Sequence, residues 1–351
     1  SESMSRATGQ PAICWTNTGR LGISLFFTEE LMNTSVDSHL SCGAKKHKGG
    51  NVMRRKFMSM ALTAAMVLSM AATPVFAEDT ASDEGFNLNL CIASEPQTID
   101  PALNSAVDGA IMCNHMFEGL VKWVNDGEGN AVTAPGQAES WEKTENEDGT
   151  VTYTVKLRDG IKWSDGQAVT AGDFVYAWQR LANPETAADY CYMIDMVKGY
   201  DAVADGSADP STLGITAVDD QTLQIDLTYD CPYFEEIMAF PATFPVRQDM
   251  VESSDNWTFD PSTYIGNGPY KMTEWSHNAY ISMEKNENYY DYENLGPDTI
   301  KFTLLDDNNA MLKGYNNGEL DFIENLPVDE IPTYLASGEL EIGDYLGTYY
   351  V

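Results

Sequence analysis

From residue 86 onward two hydrophobic periods alternate, and the chain reads as mixed α and β. Residues 87–93 alternate apolar and polar side chains as a half-buried strand does, and Glu95-Pro96 breaks the run. Val107, Ile111, Met116 and Leu120 share a helical face, which predicts a helix between 105 and 121 ending near Gly119. The β-rich run 151–157 lies between Asp148-Gly149 and Asp159-Gly160, so it is a strand between turns. Thr170 is placed to cap a helix over 174–181. Asp173 favours its positive end and Asn183-Pro184 stops it. Segments 215–218 and 222–227 form a hairpin around Asp219-Asp220. Strands are expected at 268–275, 280–284 and 299–305, a helix over 308–315, and a last strand over 346–351. No internal repeat or low-complexity linker interrupts the series.

The first 77 residues have a different pattern. Met53-Arg54-Arg55-Lys56 is a short cationic run, followed by an apolar stretch from Phe57 to Ala72 and by Thr73-Pro74-Val75-Phe76-Ala77. That order describes a secretory signal peptide over 53–77, with cleavage expected after Ala77. Its apolar run is short of the ~20 residues that a membrane-spanning helix needs. Residues 1–52 precede this segment and are read as an upstream extension without a fold of its own.

Charge separates the same two regions. Residues 1–77 hold eight of the 20 Lys/Arg but only Glu2, Glu29, Glu30 and Asp37 of the 54 acids. The remainder is strongly acidic, which excludes binding to nucleic-acid phosphates or anionic membrane surfaces and favours solubility. An apolar content of 43% is enough for a sizeable core. The exported part keeps Cys91, Cys113, Cys191 and Cys231. Four cysteines allow three pairings, and no CxxC or Cys/His spacing suggests zinc. It contains no HExxH, GxSxG or GxxxxGK[ST], and its only histidines, His115 and His277, are far apart. No enzyme, cofactor or metal is expected.

One ordered set of blocks carries a resemblance. It runs through Ala138-Glu139-Ser140-Trp141, Asp148-Gly149-Thr150, Tyr153-Thr154-Val155-Lys156-Leu157-Arg158-Asp159-Gly160, Lys162-Trp163-Ser164-Asp165-Gly166, Thr170-Ala171 and Asp173-Phe174-Val175-Tyr176-Ala177-Trp178-Gln179-Arg180. Ser94-Glu95-Pro96-Gln97-Thr98-Ile99-Asp100-Pro101, Phe117-Glu118-Gly119-Leu120, Asn267-Gly268-Pro269-Tyr270, Gly318-Glu319-Leu320-Asp321 and Gly347-Thr348-Tyr349-Tyr350 flank it. Together these resemble extracellular solute-binding protein family 5, the oligopeptide- and dipeptide-binding proteins of ABC importers. The resemblance covers 87–351 and stops midway through the family's usual length.

The resemblance implies an α/β, two-lobed, periplasmic-binding-protein-like fold of type II with an extra inserted domain. One lobe is expected from 86–117 and 215–303, an inserted domain from 118–214, and the start of a second, truncated lobe from 304–351, with a hinge near 304–306. It implies capture of oligopeptides or dipeptides between the lobes, delivery to a membrane permease, a periplasmic or cell-surface location, and a monomer.

The candidate ligand-binding residues are Ser94, Glu95, Pro96, Gln97, Tyr190, Asn267, Gly268, Tyr270, Thr348, Tyr349 and Tyr350. The loop 94–97 follows a strand's C-terminal end, where ligands collect in α/β sheets. Its main chain could pair with a peptide, or Pro96 could simply enforce a surface turn. Tyr190 is aligned by the resemblance with a cleft tyrosine, and the tyrosines suit a site that wants an apolar body with a polar tip. Gly268 allows close approach of another backbone. Trp141, Trp163, Trp178 and Phe174 read as core aromatics, and Trp163-Ser164-Asp165-Gly166 as a turn with Asp and Gly at φ > 0. The second-lobe Asp that holds the peptide's α-amino group in the family has no counterpart here. The rivals are nickel chelate, haem or oligosaccharide within the same family, and a secreted hydrolase or peptide-binding chaperone outside it.

Overall fold

The computed structural model describes residues 12–14, 85–91, 94–127 and 130–343 of the 351. The expected signal peptide and the candidates Thr348, Tyr349 and Tyr350 lie outside the described residues. In chain order the elements are β1 (Ala12–Cys14), β2 (Asn87–Cys91), α1 (Val107–Met116), β3 (Val121–Asn125), β4 (Ala131–Pro135), β5 (Ala138–Glu145), β6 (Val151–Leu157) and α2 (Ala171–Ala182). They continue with α3 (Tyr200–Ala204), β7 (Ile215–Asp219), β8 (Thr222–Leu227), α4 (Phe234–Met238), α5 (Gln248–Val251), β9 (Tyr270–Ser276), β10 (Tyr280–Lys285) and β11 (Thr299–Thr303). The last are α6 (Asn308–Asn316), β12 (Phe322–Ile323), α7 (Ile331–Ser337) and β13 (Glu341–Gly343), which pairs antiparallel with β1.

A five-stranded mixed sheet of order β12-β2-β11-β10-β9 forms one layer. Its centre is parallel: Leu88 and Leu90 of β2 stand opposite Ile300 and Phe302 of β11, and Phe322 of β12 opposite Leu90. The β9–β10 hairpin extends it antiparallel. Leu90, Ile281, Met283, Ile300 and Phe302 are buried, so the sheet contributes their apolar area to the core. A four-stranded antiparallel sheet, β5-β6-β8-β7, forms a second layer, and β3-β4 is a separate ribbon. Two of the three expected segment boundaries, those at 214/215 and 303/304, fall within sheets. The hairpin 215–227 pairs with β6, and β12, beyond residue 304, pairs with β2.

The helix expected over 105–121 stops at Met116, because Phe117 is extended at φ −130° and ψ 161° and Val121 opens β3. A tertiary contact fixes that stop. The Gly268 N–H donates to Met116 O at 3.0 Å, and a Cβ on Gly268 would lie 2.6 Å from Met116 C and from Phe117 N. Only a residue without a side chain fits there. Helix α2 begins as Thr170 predicts. Asp173 reaches back, its Oδ2 accepting from the Thr170 N–H at 2.8 Å and hydroxyl at 3.0 Å. In the turn at 163–166 only Gly166 has positive φ. Asp165 instead accepts from the Gln167 N–H at 3.0 Å and pairs with Arg247, so its carboxylate rather than a left-handed backbone shapes the turn.

Trp163, Trp178 and Phe174 are buried, and the Trp178 indole N–H donates to Thr243 O at 2.9 Å. Trp141 is only half-buried, with its indole N–H on Glu235 at 3.0 Å. Cys113, Cys191 and Cys231 are free thiols, and the Cys91 thiol lies 4.0 Å from Leu305 O. Among the described residues no helix is long and apolar enough to cross a membrane.

Candidate functional site

Strand β2 runs parallel to β11 and β12, so the loops leaving their C-terminal ends emerge on one side of the sheet. That side is where an open α/β sheet offers a crevice. The chain leaving β2 passes through Ser94-Glu95-Pro96-Gln97 and returns as α1, whose first turn is thereby brought to the same edge. Turn 276–279 of the β9–β10 hairpin lies there too, since Tyr280 stands opposite Thr303 at the end of β11.

The loop is held at both ends. Glu95 Oε1 lies 2.6 Å from His277 Nδ1, and Glu95 Oε2 accepts from the Asn278 N–H. Pro96 is buried, Ser94 and Glu95 are half-buried, and Gln97 is exposed. His277 belongs to a packed aromatic trio, with ring centroids 4.6 Å from Trp275 and 5.2 Å from Phe259. At the other end Asp100 is almost fully buried. Its carboxylate takes two Arg180 bonds, at 2.8 and 2.6 Å. The Trp257 indole N–H at 3.2 Å and the Ala102 N–H at 3.0 Å complete its shell. The Asp-Pro of one sequence block and the Trp-Gln-Arg of another thus form one bidentate pair, the geometry in which guanidinium and carboxylate bind best. It ties the loop to α2.

A second buried knot joins two further blocks. Asn267 Oδ1 accepts from the Glu118 N–H at 3.0 Å and Asn267 Nδ2 donates to Glu118 O at 2.9 Å. The Glu118 carboxylate accepts from the Tyr289 hydroxyl at 2.5 Å, the Tyr290 hydroxyl at 3.2 Å and the Gln137 amide at 2.7 Å. Burial, with the Glu118 charge second, pushes the Tyr289 hydroxyl well above its ordinary value, so it remains a donor. Tyr270 is fully buried and donates to Pro297 O at 2.9 Å. Gly268 O accepts from the Asn286 side chain at 2.8 Å.

The candidates therefore separate. Ser94, Glu95, Pro96 and Gln97 lie on the crevice edge. Asn267, Gly268 and Tyr270 are buried, their side-chain and main-chain polar groups engaged within the protein. Tyr190 is half-buried on another segment, packed edge-on against Phe240 at 5.2 Å. Residue-by-residue reading could not reveal Arg180, Glu118, Trp257 and His277 as the clamps, because Arg180 and Trp257 lie 80 and 157 positions from Asp100, His277 lies 182 from Glu95, and Tyr289 lies 171 from Glu118. No group of three or more His, Cys, Asp or Glu among the described residues could hold a metal ion.

Residues 133–351 match the bacterial extracellular solute-binding proteins, family 5 Middle. The oligopeptide-binding protein OppA of Bacillus subtilis is 34% identical over 75% of this chain and 48% of its own length. The periplasmic murein peptide-binding protein MppA of Escherichia coli is 35% identical over 74% of this chain and 47% of its own. Among solved structures, Haemophilus influenzae OppA in complex with the peptide RPPGFSPFR matches with a TM-score of 0.67 at 32% identity, over 73% of this chain and 49% of that one. The chain spans about half the length of the curated relatives it matches.

Proposed function

The chain belongs to family 5 of the bacterial extracellular solute-binding proteins, which capture solutes rather than transform them. From that premise we propose that the complete protein is the substrate-binding component of an ABC importer and takes oligopeptides or dipeptides. On this reading it is a two-lobed, type II receptor. Residues 86–326 supply one lobe with its inserted sheet, and because β12 pairs with β2 the crossover to the second lobe follows residue 326 rather than lying near 304–306. The protein is exported, its signal peptide is cleaved after Ala77, and it works outside the cytoplasmic membrane as a monomer.

One observation carries the reading. The loop 94–100 at the C-terminal end of β2 is fixed at both ends, by Glu95 to turn 276–279 and by Asp100 to Arg180 and Trp257. A loop fixed in this way can offer its main chain to an extended ligand at little ordering cost. Ser94, Glu95, Pro96 and Gln97 form that edge, and Tyr190 stands as an aromatic contact; Thr348, Tyr349 and Tyr350, outside the described residues, complete the set of ligand-binding residues proposed from the sequence. The likeness to a structure solved with a nine-residue peptide supports the choice of ligand class. Ligand touching both lobes stabilises the closed form, because only that form buries it from two sides. A permease then receives it.

Tryptophan emission of the intact protein, followed while short peptides are added, tests this. Saturable change with peptides, and none with sugars, haem or metal chelates, is expected. Response to one of those other solutes alone would replace peptides as the cargo.

A further inference from the structure

Four tyrosines are exposed among the described residues: Tyr192, Tyr229, Tyr233 and Tyr292. Two of them, Tyr192 and Tyr229, are joined through Asp195 on a surface that begins at the crevice edge. Ser105, just before α1, donates its hydroxyl to Asp189 Oδ2 at 2.8 Å, which brings 189–192 to that edge. The Tyr190 ring packs on Phe240, and the Tyr192 ring stands 6.1 Å from it at 63°. The Asp195 N–H donates to Tyr192 O at 3.1 Å, and Asp195 Oδ1 accepts from the Tyr229 hydroxyl at 3.4 Å. Tyr233 is exposed four residues further along.

This surface is rigid. Val197 pairs with Leu227, and Thr228 donates to Met196 O through its N–H at 2.8 Å and its hydroxyl at 3.1 Å. Ile194, Met196, Val197 and Leu227 are buried beneath it. The backbone is thus held from below while the two rings stay in solvent, Tyr192 at 55% and Tyr229 at 46% exposure. A single exposed ring needs no explanation, but adjoining rings on a fixed backbone mark a contact surface. Tyrosine suits that role, giving a large contact area for little side-chain ordering.

We infer that Tyr192 and Tyr229 form an aromatic shelf that continues the crevice and receives the aromatic residues of a peptide longer than the crevice holds. The inference rests on the peptide-binding reading and names its substrate class: long peptides with aromatic side chains outside the enclosed segment. Tyr190 is the link. It is half-buried and its ring adjoins Tyr192, so an extended chain passing Ser105 and Tyr190 meets Tyr192 next and then Tyr229. Rings of the guest meet rings of the shelf offset or edge-on.

The test extends one short parent peptide by a glycine-serine tail or by the same tail carrying two tryptophans, at the carboxyl end in one set and at the amino end in another. Affinities are measured by calorimetry on the intact protein. In one set the tryptophan tail should bind about tenfold more tightly than the glycine-serine tail. Tyr192→Ser and Tyr229→Ser should each remove a severalfold part of that advantage, with the parent peptide bound as before and thermal unfolding little changed. Equal binding of the two tails in both sets would overturn the inference. So would an equal loss for the parent peptide in the variants, which would assign the rings to the closing contact between lobes. In both cases peptide capture itself would stand. If no peptide binds at all, the underlying reading falls and the shelf with it.

Discussion

Replacing Arg180 with methionine removes the cation opposite Asp100 while keeping most of the side-chain volume. Asp100 is 2% exposed, so its carboxylate cannot recover the lost partner from water. Two of its four contacts disappear, the guanidinium bonds at 2.8 and 2.6 Å, while the Trp257 and Ala102 N–H groups remain. Removing one partner of a buried pair costs about 3–5 kcal/mol. The two surviving donors place this case near the lower end, about 3 kcal/mol. For a folded body of this size that corresponds to a fall in melting temperature of roughly 6–12 °C. The companion variant Arg180→Met with Asp100→Leu removes both charges, and replacement of a whole buried pair is often neutral. It should recover most of the loss. Urea unfolding followed by tryptophan emission measures both, with Trp257 as a nearby reporter. A single variant that costs less than about 1 kcal/mol would refute the reasoning, as would a double variant no better than the single.

Three further outcomes follow from other contacts. His115 is fully buried, and burial lowers it from 6.5 to about 4; its Nδ1 lies 2.8 Å from Ile111 O and its Nε2 has no partner among the described residues. The folded state thus holds it neutral. Its contribution is present above pH 6.5 and lost as pH falls towards 4, a change of about 3 kcal/mol. His115→Leu should flatten urea stability between those pH values relative to the parent protein. Gly268→Ala forces a methyl to within 2.6 Å of the Met116–Phe117 peptide and should cost about 1–3 kcal/mol in thermal unfolding. Glu95→Ala should release the Asn278 amide, seen as faster hydrogen exchange at that residue with global stability little changed.

Much of the fold was legible because its strands are one-sided. The strand over 151–157 has the bounds its alternation predicts, and its burial alternates accordingly. The hairpin 215–227 and helices α2 and α6 fall within a few residues of expectation. β5 was not legible as a strand. Most of Ala138–Glu145 is exposed and half of it is charged, so little apolar alternation marks it; pairing with β6 makes it extended. The end of α1 was misplaced for a related reason. Leu120 continues the helical apolar face, but Asn267 grips the Glu118 main chain and imposes an extended path. Of the site, the loop 94–97 could be read from a strand followed by Glu-Pro. The arrival of residue 324 at the same edge could not, since only the parallel pairing of β12 with β2 brings it to the end of that strand.

Hydrogen–deuterium exchange on the intact protein, with and without a saturating short peptide, bears most directly on the claim that the strand-end crevice receives the solute. Slowed exchange should appear in 94–100, in turn 276–279 and around residue 324, and leave the sheet β5-β6-β8-β7 unchanged. Slowing confined to that second sheet, or none anywhere despite measurable peptide binding, would place the ligand elsewhere and contradict the claim.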